Sequence, residues 1–383
     1  MINRPFWKDR IENSWKKASI VWLTGVRRVG KTTLAKTWTD AEYLNCDLPR
    51  VRESLKDPEL YFQQVDSPMI ILDEIHQTEN PSEILKIAAD EFPNLKILAT
   101  GSSTLAATRK FKDSLTGRKR VIHLSPVLAS ELKEFATRDL KHRLLLGGLP
   151  QMLLAEEKDP EFYSEWLDSY YARDVQELFK VGKRNEFLKL CELILRQSGQ
   201  LTEITSLAKH SGLSRPTVMN YLQVFETTHF ARILRPYHAG GRREIIAQPK
   251  VYAFDTGFVS HFRGWESLRP EDCGNLLEHL TCDELKAIYH ARNIQFWRDK
   301  QQREIDFVIT GADRVIHTFE CKWSADGFST RNLDAFRENY PNGDNFVITG
   351  GNENGLKQKA GKHLIRFCGI RNLHSMLTTQ TMV

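Results

Sequence analysis

The octapeptide GVRRVGKT, residues 25–32, constrains the fold of this 383-residue chain more than any other feature. It matches the phosphate-binding pattern of Gly, four variable residues, Gly, Lys and then Ser or Thr. The apolar run at 20–23 precedes it and a helical pattern opens at Thr32, so the loop joins a strand to a helix. Because the two glycines let backbone N–H groups face an anion, the pattern predicts a nucleotide site on a parallel sheet.

Two side chains of this loop carry specific expectations. Lys31 is expected to reach the β- and γ-phosphates of ATP, and the Thr32 hydroxyl to ligate Mg²⁺. Arg27 and Arg28 lie inside the loop, where phosphate contact is expected but not settled by sequence. The full predicted nucleotide-binding set is Gly25, Val26, Arg27, Arg28, Val29, Gly30, Lys31, Thr32 and Thr33. The competing interpretation is an ordinary Gly-rich turn.

The run MIILDE, residues 69–74, supplies the second half of the predicted nucleotide site. Four apolar residues indicate a buried strand, and Asp73 at its carboxyl end is expected to hold Mg²⁺ through water. Glu74 is the candidate that polarises the attacking water. The alternative is an acidic pair at the end of an ordinary strand.

Two further segments contain candidates for sensing the nucleotide. Thr100, Ser102 and Ser103 end the strand in KILATGSS, and their hydroxyls either sense a γ-phosphate or simply end the strand. Arg118 in LTGRKR is a candidate arginine finger toward its own nucleotide or that of a neighbouring subunit. The alternative for Arg118 is a solvated surface cation.

The remaining pattern predicts an α/β chain of several domains. Five short apolar strands alternate with helical segments, SIVWLTG, EYLNCD, MIILDE, KILATGS and RVIHLSP, which is typical of a parallel sheet covered on both faces. A chain of 383 residues is too long for one core. The predicted domains are a P-loop ATPase domain at 1–135, a helical linker or lid at 136–183, a winged-helix-like domain at 184–258 and an α/β domain at 259–383.

The middle of the chain has the layout of a helix-turn-helix. Leu207 and Ala208 are expected to pack the first helix, and Ser214 to cap the second. Candidate DNA-facing residues are Arg215, Thr217, Asn220 and Tyr221 on the second helix, with Arg232, Arg235, Arg242 and Arg243 on a basic wing. The alternative is a packing or dimerisation module, because the second helix is poor in Lys and Arg.

Residues 303–324, REIDFVITGADRVIHTFECKWS, read as a β-hairpin with an unusual polar face. Alternation places Glu320 and Lys322 on one face, and folding about the turn brings Asp306 opposite or diagonal to Glu320. Two carboxylates at such a short distance repel each other unless a cation lies between them. Asp306 and Glu320, together with Glu278 on the helix before these strands, are therefore predicted metal ligands. Lys322 would activate water or stabilise developing charge. Glu284 is a weaker alternative to Glu278, and a solvated hairpin with a Lys–Glu pair is the structural alternative.

Composition excludes some classes of protein. A net charge of +5 permits binding to a polyanion without establishing it. The N-terminus has no apolar signal-peptide run, and no stretch has the length of a membrane helix, so no membrane association is expected. The six cysteines are far apart and form no Cys-x-x-Cys pair, which indicates buried thiols in a reducing cytoplasm.

The chain resembles the predicted AAA+-type P-loop ATPases of bacteria and archaea that carry a C-terminal domain of unknown function. The resemblance covers nearly the whole chain and rests on several segments, GVRRVGKTTLAK, IILDEIH, ATGSS, LTGRKRVIHLSPVLASEL, GGLPQ, YYARDV, SGLSRPTV, PKVYAFDTG, GNLLEHL, FWRDKQQREIDFVI and ECKWS. It implies an additional-strand, catalytic-glutamate ATPase, then a winged helix and a domain similar to the PD-(D/E)xK nuclease fold.

The resemblance implies ATPase roles for Lys31, Thr32, Asp73 and Glu74, and nuclease-like roles for Glu278, Asp306, Glu320 and Lys322. The leading hypothesis is a cytoplasmic Mg²⁺-dependent ATPase whose cycle drives or gates a DNA-interacting C-terminal domain, with cleavage left open. One alternative is a nucleotide-dependent regulatory or scaffold protein with an inactive nuclease-like fold. Another is a winged-helix DNA-binding regulator. Homo-oligomer formation is compatible with each.

Overall fold

A computed structural model describes residues 2–101, 115–137, 139–176, 183–238, 248–311 and 314–379. The chain divides into two compact units, each built from several segments. The first unit comprises Met1–Ser125, Ser169–Val181 and Thr227–His229, and the second comprises Pro126–Asp168, Gly182–Glu226 and Phe230–Val383. Each is described by itself below.

The first unit is built on a five-stranded parallel sheet. Its strands are β1 (Ile20–Thr24), β2 (Glu42–Asn45), β3 (Met69–Asp73), β4 (Lys96–Thr100) and β5 (Lys119–His123). Their order across the sheet is β2-β3-β4-β1-β5. All five predicted strands are therefore confirmed, and β4 is an additional strand between the phosphate-loop strand β1 and the acidic strand β3. This order brings the carboxyl ends of β1, β3 and β4 to one edge of the sheet.

Short helices connect these strands and cover the sheet. They are α1 (Pro5–Trp15), α2 (Lys31–Ala35), α3 (Pro49–Ser54), α4 (Pro58–Gln63) and α5 (Pro81–Glu91). Proline occupies the first turn of four of them, where a missing N–H costs nothing. The central strands β1, β3 and β4 are apolar and buried along most of their length, as expected for strands covered on both faces. Trp22 and Leu72 are completely buried in this core.

The second unit begins with helices and a two-stranded sheet. The helices are α6 (Leu140–Leu146), α7 (Pro150–Leu153), α8 (Pro160–Tyr170), α9 (Arg184–Arg196), α10 (Ile204–Ser211), α11 (Arg215–Thr227) and α12 (Thr256–Phe262). Strands β6 (Ala231–Leu234) and β7 (Lys250–Ala253) pair in antiparallel fashion. Leu207 and Ala208 are buried, and the Ser214 hydroxyl accepts a hydrogen bond from the Thr217 N–H, so the predicted packing and cap are confirmed.

A six-stranded mixed sheet completes the second unit. It contains β8 (Ile294–Arg298), β9 (Glu304–Thr310), β10 (Ile316–Lys322), β11 (Asn345–Thr349), β12 (Asn354–Ala360) and β13 (His363–Gly369) in the order β12-β13-β11-β10-β9-β8. The helices around it are α13 (Pro270–Ile288), α14 (Arg331–Asn339) and α15 (Leu373–Thr379). The predicted order of helix, three strands, helix and strand is confirmed as far as β11.

The sequence interpretation gave a single strand after α14 and so missed two strands of this sheet, β13 and the edge strand β12. Its sequence, NGLKQKA, is mostly polar and exposed, so it lacks the apolar alternation on which strand prediction depends. The strand lies at the edge of the sheet, where lysine discourages pairing with another chain. No helix within the described residues is long and apolar enough to cross a membrane.

Candidate functional site

The phosphate loop of the first unit curls as its sequence predicts. Gly25 and Gly30 have φ values of 152° and 98°, and Arg28 adopts a left-handed φ of 60°. A side chain at position 25 would place its Cβ 2.6 Å from the Leu124 carbonyl oxygen. Val29 is completely buried, so the loop is anchored beneath while Arg28 stays exposed. Only glycine fits at position 25.

Lys31 lies across the loop on backbone acceptors. Its Nζ donates hydrogen bonds to the Gly25 and Val26 carbonyl oxygens at 3.0 and 3.2 Å. Burial lowers the pKa of Lys31, while the Glu74 and Asp174 carboxylates act against that shift. The ammonium group thus lies within the loop, and its partners are two backbone carbonyl oxygens that another acceptor could replace.

Asp73 is the centre of the polar site at the sheet edge. It is 2% exposed, and three hydroxyl groups donate hydrogen bonds to its carboxylate. The Thr32 and Thr100 hydroxyls reach Oδ1 at 3.3 and 2.5 Å, and the Tyr43 hydroxyl reaches Oδ2 at 2.6 Å. Burial and this hydrogen bond raise the pKa of Tyr43, which keeps the phenol protonated. Asp73, at the end of β3, is therefore held by side chains from three other elements, α2, β4 and β2.

Glu74 adopts a left-handed backbone conformation with φ of 55°. Its N–H donates to the Thr100 hydroxyl at 3.0 Å, and its Oε2 lies 3.2 Å from His76 Nδ1. Burial opposes the charge on Glu74, but His76 and Lys31 outweigh it and lower the pKa of the carboxyl. Such backbone strain is concentrated at functional sites.

Other predicted positions are distributed more widely. Arg27 Nε lies 3.3 Å from Asp174 Oδ2, so this loop cation has an acidic partner. Arg118 donates to both oxygens of Asp90 at 2.5 and 3.1 Å on an exposed surface. Thr33 is exposed on α2. Ser102 and Ser103 lie outside the described residues, whereas Thr100 contacts Asp73 and Glu74 directly.

In the second unit, strand register places Asp306 beside Glu320. Thr318 pairs with Val308 and Phe319 with Phe307, so the next positions in that register are Glu320 and Asp306. The Asp306 Oδ2 accepts a hydrogen bond of 2.7 Å from the Cys321 N–H. The neighbouring arrangement predicted from period-two alternation is therefore present.

Three carboxylates of the second unit approach one another closely enough to hold a metal ion. One oxygen each of Glu278, Glu304 and Asp306 lies within 4.8 Å of the others. Glu304 was not among the predicted ligands, although it shares the strand and the face of Asp306. Glu320 adjoins this group, and its buried Oε1 has no hydrogen-bond partner among the described residues.

Lys250 on β7 is an unpredicted member of the carboxylate cluster. Its Nζ lies 2.8 Å from Glu278 Oε1 and 2.5 Å from Glu304 Oε1, and the residue is 4% exposed. The Tyr252 hydroxyl donates to the same Glu278 oxygen. Burial opposes the charge on Lys250, but Glu278, Asp306 and Glu304 outweigh it and raise its pKa. Alternation in KVYA places Lys250 and Tyr252 on one face, the only signal that the sequence offered.

The cluster holds its carboxylates in an unusual electrostatic state. Burial, with the negative charges of Glu278 and Glu320, raises the pKa of Asp306 well above its ordinary value. Burial also raises the pKa of Glu320 to about 6, although Lys322 opposes that shift. Lys322 Nζ lies 3.2 Å from Glu320 Oε2. Burial acts to lower the pKa of Lys322, but the negative charges of Asp306 and Glu320 outweigh burial and raise that pKa. A cation bound here would relieve the repulsion.

Two sequence interpretations in the second unit are wrong. Arg232 is 5% exposed and pairs with the buried Asp283, so it cannot serve as a basic wing residue that contacts phosphate. Glu284 is completely buried, accepts a hydrogen bond from the Ala129 N–H and pairs with His374. It is therefore engaged away from the carboxylate cluster and is no substitute for Glu278.

Only some of the candidate DNA-facing residues on α11 are exposed to solvent. Arg215 and Asn220 are exposed on α11, and Thr217 is partly buried. The Tyr221 ring packs edge-on against Phe187 with centroids 5.1 Å apart, which gives it a role in the interior. Arg235 is exposed near Glu226, while Arg242 and Arg243 lie outside the described residues.

Three family models match successive parts of the chain. Residues 17–133 match the family described as AAA domain, residues 137–269 match a domain of unknown function (DUF8612), and residues 273–368 match a second domain of unknown function (DUF4143). The chain therefore carries an N-terminal AAA-type P-loop domain followed by two domains to which no function is assigned.

Similarity to individual proteins is distant. The chain is 24% identical over 335 residues to the uncharacterized protein Rv2008c of Mycobacterium tuberculosis, which covers 84% of this chain and 74% of that protein. The uncharacterized protein Mb2031c of Mycobacterium bovis matches equally. A DNA polymerase III gamma subunit-related protein of Thermotoga maritima aligns with 58% of this chain and 98% of its own at 12% identity, with a TM-score of 0.25.

Proposed function

We propose that this chain binds ATP together with Mg²⁺ at the phosphate loop and hydrolyses it. The observation that carries the proposal is the convergence of Thr32, Thr100 and Tyr43 on the buried Asp73, beside a curled loop that contains Lys31. The match to the AAA domain over residues 17–133 supports the same conclusion independently.

The donor set suits a magnesium–triphosphate complex. Thr32 Oγ1 and Asp73 Oδ1 lie 3.3 Å apart, and hard oxygen atoms of this kind are the ligands that Mg²⁺ prefers. Thr32 would hold the ion directly and Asp73 would hold its water shell, while Lys31 would exchange backbone carbonyls for phosphate oxygens. The bound triphosphate would supply the phosphoryl group, and Mg²⁺ would neutralise part of its negative charge.

Glu74 is suited to accept a proton from the attacking water. His76 and Lys31 keep its carboxylate ionised, and the Thr100 hydroxyl holds its backbone N–H in the strained conformation. The water oxygen would bond to phosphorus as its proton passes to the Glu74 carboxylate and the bond to the leaving ADP oxygen breaks. Asp73 would serve as a ligand of the hydrated ion, so the two adjacent carboxylates have different roles.

Two substitutions separate ATP binding from ATP hydrolysis. Lys31→Ala is expected to abolish ATP binding measured by calorimetry, because the principal phosphate-binding cation is lost. Glu74→Gln is expected to keep ATP affinity while lowering turnover by at least about 100-fold. Glu79→Gln, an exposed glutamate on the same connection, is the matched control. Undiminished ATP binding by Lys31→Ala would refute the proposed function.

A second candidate function is metal-dependent cleavage of DNA at the carboxylate cluster. The specific observation that favours it is the approach of Glu278, Glu304 and Asp306. Beside them lies the buried Glu320 Oε1, which has no hydrogen-bond partner in the part of the chain that the structure describes. These carboxylates would hold Mg²⁺ or Mn²⁺, and Lys322 would stabilise negative charge that develops on a phosphate. The ATPase cycle would then drive or gate this domain.

DNA cleavage can be tested with matched carboxylate variants. Plasmid and linear DNA are incubated with Mn²⁺ or Mg²⁺, with and without ATP, and compared with Asp306→Asn and Glu320→Gln. Both variants are expected to lose cleavage, whereas the exposed Glu338→Gln keeps it. Cleavage that survives Asp306→Asn would come from a contaminant. Absence of cleavage with intact ATP hydrolysis would favour the nucleotide-dependent regulatory protein.

The remaining hypotheses concern DNA binding and assembly. We propose that α9 to α11 with β6 and β7 form a winged-helix-like unit within 184–258, between a helical segment at 136–183 and a nuclease-like domain at 259–383. Exposed Arg215 is its available cation on α11. Salt-sensitive DNA binding that weakens in Arg215→Ala would favour a DNA-binding regulator. Sedimentation with and without ATP would test a homo-oligomer in which Arg118 leaves Asp90 to act between subunits.

A further inference from the structure

The segment YYARDV, residues 170–175, has no part in the proposed reaction, yet it reaches the phosphate loop. It continues α8 as a π-helical turn, Tyr171–Gln176, which belongs to the first unit. Such turns place an extra residue in a helix and are frequent at functional sites. The Asp174 side chain is 15% exposed, and its Oδ2 lies 3.3 Å from Arg27 Nε. The turn thus directs a carboxylate at a loop cation.

Asp174 is an electrostatic partner of two of the three cations in the loop, Arg27 and Lys31. Burial raises the pKa of Asp174, against the opposing charges of Arg27, Lys31 and His76. In return, its negative charge favours the protonated form of Lys31. The buried Oδ2 accepts no well-formed hydrogen bond among the described residues, so its contact with Arg27 is an ion pair, while Arg27 Nε also donates to the Ser169 hydroxyl at 3.4 Å. Such a pair is exchangeable for another anion.

We propose that Asp174 is an internal counter-anion of the phosphate loop, which competes with the nucleotide's phosphates for Arg27 and Lys31 and leaves Arg27 when a triphosphate binds. This inference rests on the proposed function. A triphosphate brings more negative charge than a diphosphate beside this carboxylate, so the repulsion is greater for ATP than for ADP. The π-helical turn therefore responds to the nucleotide state, and Asp174 is a specificity-determining residue.

Calorimetry on the full chain with Mg²⁺ tests the competition. Asp174→Asn keeps the shape of the side chain and removes its charge, so its Kd for ATP is expected to fall about five- to tenfold. The gain for ADP should be smaller. Asp168→Asn, on the preceding helix in an exposed pair with Arg184, is the matched control and should bind as the unaltered protein does. Unchanged or weaker ATP binding by Asp174→Asn would overturn the proposal.

A double substitution identifies the cation for which Asp174 competes. In the Arg27→Gln background, the gain from Asp174→Asn should shrink by at least half, because one of the two shared cations is absent. An undiminished gain would contradict the role of Arg27. If the unaltered chain binds no ATP, or Lys31→Ala binds it equally, the proposed function fails instead. If the unaltered chain binds ATP and Asp174→Asn binds it no more tightly, the role of Asp174 as a competing anion is refuted and the proposed function stands.

Hydrogen–deuterium exchange on the unaltered chain provides a measurement that needs no variant. Release of Asp174 from Arg27 should speed amide exchange across residues 169–176 when Mg²⁺ and ATP are added. ADP should change the exchange less. Unchanged or slower exchange with ATP would show that the ion pair persists or tightens, and would overturn the proposal even if Asp174→Asn failed to fold.

Discussion

The Asp73 carboxylate shows how much a single residue depends on its neighbours. A buried carboxylate is costly unless hydrogen bonds satisfy it, and here the Thr32, Thr100 and Tyr43 hydroxyls do so. Thr100 has a second task, because its oxygen accepts the Glu74 N–H while its hydrogen points to Asp73. One hydroxyl therefore positions both acidic residues.

Thr100→Val tests that double contact. The variant keeps the side-chain shape but removes one donor to Asp73 and one acceptor for Glu74, which costs about 1–3 kcal/mol for buried polar groups. We expect ATP turnover to fall by about tenfold or more, with a smaller change in ATP affinity, measured by steady-state kinetics and calorimetry. Thr37→Val, whose hydroxyl bonds only a local carbonyl at the end of α2, is the control. Unchanged turnover would exclude this positioning role.

His374 and Glu284 form a buried ion pair in the interior of the second unit. His374 Nε2 lies 2.8 Å from Glu284 Oε2, and the two residues are 6% and 0% exposed. Burial disfavours the imidazolium, but the Glu284 carboxylate and backbone carbonyl outweigh it and raise the pKa of His374. The folded protein therefore holds this proton more tightly than the unfolded chain.

That pKa shift predicts how stability depends on pH. The stabilising contribution of a raised pKa is complete below about 6.5, the ordinary histidine value, and is lost as pH rises through the folded value. Urea unfolding should therefore show that His374→Asn reduces the free energy of unfolding most at pH 6 and progressively less toward alkaline pH. A difference that grows with pH would contradict the assigned sign.

At the scale of elements, β7 joins two parts of the second unit. It pairs with β6 and also presents Lys250 and Tyr252 to Glu278 on α13. Lys250 reaches Glu304 on β9 as well, so one ammonium neutralises carboxylates from two elements. The same oxygens would be needed by a metal ion. Lys250 therefore competes with a divalent cation for the cluster.

Lys250→Met tests that competition. Loss of the ammonium removes the cation that Glu278 and Glu304 share, although Arg298 still pairs with Glu304, and removal of one partner of a buried pair costs about 3–5 kcal/mol. We expect a destabilisation of that size in chelator, which Mn²⁺ largely reverses, with a smaller Mn²⁺ effect on the unaltered protein. Chemical unfolding measures both, and the exposed Lys300→Met is the control. A loss that Mn²⁺ does not recover would identify an internal ion network rather than a metal site.

For the whole molecule, the two compact units carry separate candidate ligand sites. The phosphate loop with its acidic residues lies in the first unit, and the carboxylate cluster lies in the second. A ligand that binds only the folded form of a unit stabilises that unit by mass action. The division of the second unit into smaller domains remains a prediction.

Calorimetric unfolding should distinguish the two sites. We expect Mg²⁺ with ATP to raise the midpoint of one transition and Mn²⁺ alone to raise the midpoint of another. Asp306→Asn should remove the Mn²⁺ shift and keep the ATP shift, while Lys31→Ala should do the reverse. A single transition that both ligands raise equally would contradict independent stabilisation of the two units.

Sequence alone determined the local features. Glycine spacing, the apolar runs of β1 to β5 and the alternation of β9 and β10 specify backbone conformation and side-chain face within a few residues. These patterns therefore located Lys31, Thr32, Asp73 and Glu74, and predicted that Asp306 and Glu320 lie side by side. These patterns failed to predict β12, because this exposed, mostly polar edge strand has no apolar face to detect.

Only the tertiary structure decided which distant residues meet. Tyr43 on Asp73, Asp174 on Arg27 and Lys250 on Glu278 are contacts between side chains far apart in sequence, and no local period encodes them. Burial is equally a property of the assembled chain, which is why Arg232 resembled a surface cation in sequence yet pairs with Asp283 inside. Charge compensation depends on three-dimensional packing, so the sequence identified the acids and the fold selected their partners.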